Sequence, residues 1–412
     1  MTIVQTIAIL LTVAAMASYI NHQYLRFPQT IGLMIITLTV SVILVLLGFF
    51  HIVDLTSSAA FVHSIDFNEA FLHGMLALLL FAGALHINIE DLKNQIFPIA
   101  ILSTVGVLLA TCITGLFFWI VAGWLGTDLP LIYALLFGAL VSPTDPIAVM
   151  GILRKAGAPK SLETKITGES LFNDGVGVVL FLTIFDITFS KNTLAPSGIA
   201  VFLTTEAVGG IIFGWLIGWI FYRLLKSVDA YQVEILLTLA LAVGGYALAE
   251  VLHVSAPIAI VVAGLFIGNQ GREFAMSDKT REHLDTFWEL IDEIMNAVLF
   301  VLIGLEVIAI HVNQANGFTA LAAILIVLSA RFISVYLSIS MMRFFRTFSK
   351  GIIEVLTWGG LRGGISIALA LSLPPIPERD MILASTYVVV VFSVLVQGLT
   401  VGKVIRARCH IQ

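Results

Sequence analysis

The sequence predicts an all-α polytopic membrane protein of about thirteen transmembrane helices, and three observations carry that prediction. Of its 412 residues, 59% are hydrophobic and only 11% charged, with a mean hydropathy of +1.04. That composition belongs to a chain living in lipid, not to a soluble enzyme with one anchor. Apolar windows of about 20 residues, the length needed to cross ~30 Å of hydrocarbon as helix, recur from one end to the other. The basic residues, finally, segregate to alternate loops.

The windows fall at about 3–21, 30–50, 69–88, 96–123, 130–152, 162–188, 198–225, 231–252, 256–270, 288–310, 318–342, 351–372 and 381–402. The first starts at Ile3 with no Lys or Arg before Arg26, so it lacks the positive leader of a signal peptide and is expected to be a retained span. Loops this short leave no room for a soluble domain. Of the 21 lysines and arginines, Lys191 and Arg379 fall in loops after even-numbered spans, Arg331 and Arg362 fall within spans, and the other 17 lie after odd-numbered spans. The positive-inside rule then places the odd loops and the C-terminus in the cytoplasm and the N-terminus outside. Cys112 and Cys409 are far apart and have neither metal-ligand nor redox spacing, so no disulfide is expected.

Spans five and twelve differ from the rest. Span five carries Pro143 and Pro146 around Asp145, and each proline removes a backbone donor and obstructs the preceding turn. Span twelve carries Gly359, Gly360, Gly363 and Gly364 around Arg362, where the backbone leaves helical geometry cheaply. Interruptions are therefore expected around 142–146 and 359–364. With 1–197 (spans one to six) and 228–412 (spans eight to thirteen) as inverted repeats, and 198–227 as the linking span seven, the two interruptions occupy equivalent positions. Paired interruptions of this kind point to the binding site of a secondary transporter.

The stretch from Ser142 to Asp174 holds the chemistry. A carboxylate at membrane depth costs roughly 2.5–3.5 kcal/mol even on the mildest scale, so it faces an interior cavity. Span six enters from the cytoplasm near Ser161, which puts Asp174 about 20 Å along it, near mid-membrane. Ser170, four residues earlier, shares its face, with Glu169 and Asn173 one position round. A dehydrated alkali cation such as sodium wants several hard oxygens, and Asp174, Ser170, the freed carbonyl of Thr144 and the Asp145 carboxylate supply them. Asn173 is suited to bridging the Asp145 side chain to the freed backbone of span five. Asp174 is the group expected to hold a proton and a cation in turn. Asp145 has a competing role, satisfying loose backbone in a broken helix. Glu169 reads as half of a structural ion pair, since Arg362 and Arg331 lie at similar depth.

Other polar residues carry less. Glu250, Glu306 and Glu354 sit near span ends, where they reach solvent. His86 is read as packed or interfacial. Gly209, Gly210, Gly214 and Gly218 suit close helix packing. The segment 271–287, with His283, reads as a solvated interfacial helix in preference to a pH-sensing surface.

The strings SPTDP, GESLFNDG, FVLIGLE at 300–306 and WGGLRGG at 358–364, in register with this topology, resemble the NhaP-type sodium/proton antiporters, relatives of the eukaryotic sodium/proton exchangers. The resemblance covers nearly the whole chain. It implies NhaA-like inverted repeats, with a mobile transport domain built around crossed, unwound spans five and twelve, and a dimerisation domain that makes a homodimer. By the same resemblance Asp174 is the alternately protonated and ion-bound aspartate, and Asp145 its partner through water. Ser170 and the main chain of Thr144 are ion ligands, and Asn173 stabilises the crossing. Glu169 with Arg362 resembles the family's structural ion pair, Arg331 being the other possible partner. The Asn173–Asp174 pair resembles the electroneutral branch, which exchanges one cation for one proton. Family members often carry a third-span glutamate where this chain has Ala82 in FAGAL, so water or another group is expected to complete the coordination.

An intramembrane aspartyl protease is disfavoured because its Gly-x-Gly-Asp string is absent before Asp174, where Phe172 and Asn173 stand. A channel is disfavoured because no repeated carbonyl filter has a counterpart. A potassium/proton antiporter of the same fold remains the alternative. No cofactor and no nucleic-acid partner is expected; membrane lipid is the medium, and the minimal loops suit a bacterial inner membrane.

Overall fold

The computed structural model describes residues 3–51, 74–155, 159–189, 196–308 and 314–408, so Lys191, Cys409 and the start of window three lie outside the described residues. Each predicted window falls on helix. α1 (Ile3–Ile20) passes through a π-turn at Asn21–Leu25 to α2 (Gln29–Phe49). The buried Asn21 amide holds that corner by bonding both polar groups of Phe27, at 3.0 and 3.2 Å. α3 (Leu76–Leu85) leads to α4 (Ile89–Ser103), whose first turn is capped by the Asn88 side chain accepting from the amides of Glu90 and Asp91. α4 continues into α5 (Val105–Trp124) as one bent rod of 36 residues, longer than the 96–123 window. The bend falls at Thr104, whose hydroxyl and amide both turn back to the Ala100 carbonyl and draw it from the regular ladder.

Span five is divided into α6 (Leu131–Leu140) and α7 (Ile147–Lys155), as its prolines require. α8 (Lys160–Phe189), α9 (Pro196–Leu225), α10 (Tyr231–Val251) and α11 (Ala256–Phe266) follow, the last ending in a π-turn at Ile267–Gly271. α12 (Asp278–Glu306) departs from expectation. It starts ten residues before its 288–310 window and absorbs most of the supposed interfacial segment into one continuous helix. The Ser277 side chain caps it, and the Arg272 guanidinium grips both oxygens of Asp285 at 2.7 and 2.5 Å, so its polar turns are tied down. α13 (Gln314–Met342) precedes the second divided span, α14 (Ile352–Trp358) and α15 (Gly364–Leu371). α16 (Arg379–Phe392), a π-turn at Ser393–Gln397 and α17 (Gly398–Arg408) close the described chain. Among the described residues eight helical runs are long and apolar enough to cross a membrane, and the one extended pairing is an isolated bridge between Asp145 and Leu361.

Small residues set how closely these rods approach. A side chain on Gly210 or Gly214 of α9 would meet the backbone of Ser255 or Ala259 on α11, so the glycines of span seven form a packing seam, as expected. Gly138 of α6 similarly faces the Thr111 carbonyl of α5. The stacked rings of Phe118 and Phe137, 4.1 Å apart, continue that α5–α6 contact toward the outer end of a second apolar core that also includes Val178, Phe181, Val327 and Ile382. Gly138→Val and Gly214→Val are each expected to cost roughly 1–3 kcal/mol through overpacking. Gly244→Ala, at a position with open space, should leave the melting temperature in detergent unchanged.

Candidate functional site

Two helices broken at the same depth leave backbone donors and acceptors with no ladder partner, and at membrane depth these must be satisfied within the protein. The structure does this by crossing one break over the other. The Asp145 amide donates to the Leu361 carbonyl at 2.8 Å. The Arg362 guanidinium reaches across to the carbonyls of Ser142 and Pro143 at 2.5 and 3.0 Å, putting positive charge on the negative end of α6. Each break is also served by the helix that follows it. Asn173 on α8 accepts from the Thr144 amide at 3.2 Å and donates to the Thr144 hydroxyl at 2.8 Å. After α16, Ser393 accepts from the Arg362 amide at 2.9 Å and donates to Gln397, whose amide reaches the Trp358 carbonyl.

This arrangement corrects one expectation and decides between two alternatives left open. Asn173 bridges the freed backbone of span five to the Thr144 hydroxyl, not to the Asp145 side chain, because Thr144 is the residue that faces α8 at the crossing. The ion pair of Glu169 is with Arg331 of α13, at 2.6 Å, both side chains being 5% exposed or less. Arg362 is already spent on the α6 carbonyls. Arg331 also donates to the Leu356 carbonyl at 3.2 Å, so it joins α8, α13 and α14.

The expected ion ligands come together on one side of this crossing. The Thr144 and Ser170 hydroxyls are 3.0 Å apart and buried. Asp174, one turn beyond Ser170, is partly exposed, lies within electrostatic reach of Asp145 and takes no hydrogen bond from any described residue. A partly exposed carboxylate about 20 Å into a membrane helix faces water, since facing hydrocarbon is prohibitive. Asp145, also partly exposed, sits just before the N-terminus of α7 and against Gly363 at the N-terminus of α15; a side chain on Gly363 would collide with its carboxylate. Two positive helix ends therefore compensate the charge of Asp145, whereas no described residue donates a hydrogen bond to Asp174. Such a group is free to take a proton or a cation. Ala82 is fully buried on α3, and its carbonyl accepts from His86 Nδ1 at 2.8 Å.

The remaining acids divide. Glu354 pairs loosely with Arg408 at 3.7 Å and is exposed, as its position at a helix end suggested. Glu306 is not solvated: it is 8% exposed, at the end of α12 where α16 packs on it with Arg379 nearby. His283 is exposed and stacks on Tyr231 at 4.2 Å. The sequence reading passed over Asp292 and Asn296, which lie one turn apart on α12. Both fall inside the 288–310 window, and their signal was the four-residue spacing of an acid and an amide within a span.

Removing one partner of a buried ion pair strands the other. Glu169→Gln and Arg331→Ala are each expected to cost about 3–5 kcal/mol and to lower the melting temperature of the purified protein. The Glu169→Gln/Arg331→Met double variant should recover a measurable part of that loss, which identifies the pair against a pairing of Glu169 with Arg362.

A family model described as "Sodium/hydrogen exchanger, transmembrane" matches residues 9–407. The chain is 47% identical over 407 residues to the Na(+)/H(+) antiporter NhaP of Pseudomonas aeruginosa, covering 97% of this chain and 96% of that one. It is 35% identical over 406 residues to the Na(+)/H(+) antiporter NhaH of Halobacillus dabanensis, covering 97% of each. The fold matches the solved structure of the sodium proton antiporter MjNhaP1 from Methanocaldococcus jannaschii at pH 8 with a TM-score of 0.76, at 20% identity over 98% of both chains. With a matched model spanning almost the whole chain, relatives this similar along their full length and the same fold, the protein belongs to the sodium/hydrogen exchanger family of membrane transporters, not to a family of enzymes.

Proposed function

We propose that the protein exchanges sodium for protons across the membrane by alternating access, with Asp174 as the group that holds one or the other. The observation carrying this reading is the contrast at the crossing. Thr144, Asn173, Arg362 and Glu169 are each committed to a partner, whereas Asp174 is partly exposed and takes no hydrogen bond from a described residue. One ionisable group that cannot hold both species at once makes exchange a competition. Ser170, Thr144 and Asp145 supply the neighbouring oxygens for a dehydrated sodium ion, and no cofactor takes part. With neutral Asn173 beside Asp174, one cation is exchanged for one proton and the cycle moves no net charge.

The reading extends to organisation. Residues 1–197 and 228–412 form the inverted repeats, joined by span seven. The service of each break by the helix that follows it, Asn173 for span five and Ser393 for span twelve, is what two related halves lead one to expect. Its loop charges support an N-terminus outside and a C-terminus in the cytoplasm, its short loops a bacterial inner membrane, and its family resemblance a homodimer.

Reconstituted into vesicles with an internal pH dye, the wild type should release protons on addition of sodium or lithium and not of potassium or choline. Asp174→Asn, still folded, should fall to the level of empty vesicles. Full exchange in Asp174→Asn would remove the assignment, and a potassium response would transfer the protein to potassium/proton exchange.

A further inference from the structure

Four residues on α12 define one stripe: Trp288, Asp292, Asn296 and Leu299, spaced four, four and three apart and therefore on a common face. Both ends of the stripe have known neighbours. Trp288 packs on Phe81 of α3 with ring centroids 4.7 Å apart. Leu299 lies against Gly364 at the crossing, so closely that a side chain on the glycine would collide with it. The face between must look into the same interior, bounded by α3 on one side and by the Asp145–Gly363 contact on the other. Asp292 is partly exposed in that interior, within electrostatic reach of Asp145 and of His86. Its Cα stands about 10 Å from that of Leu299 along the helix, on the side of the polar turns at 278–287.

Asn296 gives an independent pointer. It is 3% exposed, its oxygen has no hydrogen-bond partner, and its amide nitrogen, which makes no bond of regular geometry, lies toward the Asp292 carboxylate. A buried amide oxygen left unmet is costly, and in a native protein it signals a guest that is polar and small. Here the guest lies between that amide and a carboxylate one turn away, on a face shared with the ion site.

We propose that Asp292 and Asn296 form a second cation station on the cytoplasmic side of the Asp174–Asp145 site, where a partly hydrated monovalent cation waits before it is taken to the crossing. This rests on the sodium/proton reading above. The Asp292 carboxylate draws the cation in, and the Asn296 oxygen replaces one of its waters while the amide nitrogen donates to another. A fixed negative charge at the inner mouth raises the local cation concentration and so lowers the bulk sodium needed to load the site.

The test is sodium-dependent proton flux in vesicles of known protein orientation, at low ionic strength, with sodium titrated from the cytoplasmic face. Asp292→Asn should raise the half-saturating sodium concentration by roughly 3- to 10-fold, with the maximal rate within about twofold of wild type. The effect should shrink in high concentrations of choline chloride, which screen the charge, and Asp292→Glu should restore the wild-type value. Asn296→Leu should raise half-saturation in the same direction without that salt dependence. An unchanged half-saturation in a protein that melts like the wild type would make Asp292 structural and overturn the proposal. Loss of all exchange at saturating sodium would overturn it too, by making Asp292 part of the obligatory site. If Asp292→Asn lowers the melting temperature, Asn296→Leu decides alone by the same readout. Failure of the underlying antiport reading looks different, since the wild type itself would then show no sodium-driven flux.

Discussion

The constraint that governs this protein is that a helix interrupted inside a membrane has to find substitutes for the hydrogen bonds it gives up. Span five surrenders them to Pro143 and Pro146, and span twelve to a run of glycines. The Arg362 fork on the Ser142 and Pro143 carbonyls, the Asp145–Leu361 bridge and the Asn173 amide on Thr144 are those substitutes. The interruptions in turn create the site. Without them, Thr144 and Asp145 would lie in a regular helix, and no half-helix ends would converge on one point.

Around this centre the polar groups have separate duties. The Glu169–Arg331 pair joins α8 to α13, and through Leu356 to α14, so the elements carrying Asp174 and the second break are held in one body. Asn173, adjacent to Asp174 in sequence, is fully occupied in holding the crossing. That division leaves Asp174 without a hydrogen bond from a described residue while its neighbours keep the geometry fixed. The glycine seam between α9 and α11 does for the scaffold what hydrogen bonds do for the site, bringing backbones into direct contact.

Much of this was legible in the residues. Hydropathy and basic-residue placement gave the windows, and proline and glycine in spans five and twelve located both breaks to within a few residues. The four-residue spacing of Ser170 and Asp174 put them on one face, which the structure keeps. What escaped was partner choice and reach. Two arginines at similar depth were equivalent to a linear reading, and only the path of α13 beside α8 decides for Arg331. The extent of α12 escaped because its first ten residues are polar; their stability comes from the Ser277 cap and the Arg272–Asp285 pair, not from hydropathy. Glu306 was misread because exposure at a helix end depends on which helix packs there, and α16 covers it. Asp292 was passed over although it lies inside its window.

The buried charges at the crossing have an arithmetic of their own. Three carboxylates, Glu169, Asp145 and Asp174, face two guanidinium groups, Arg331 and Arg362. With all of them ionised, the crossing carries one uncompensated negative charge. A single sodium ion or a single proton cancels that charge equally well; the vacant core alone carries the imbalance into a low-dielectric passage. On the proposed exchange cycle the surrounding lipid acts as an insulator that admits either loaded form and resists the empty one, so that coupling comes from electrostatic self-energy.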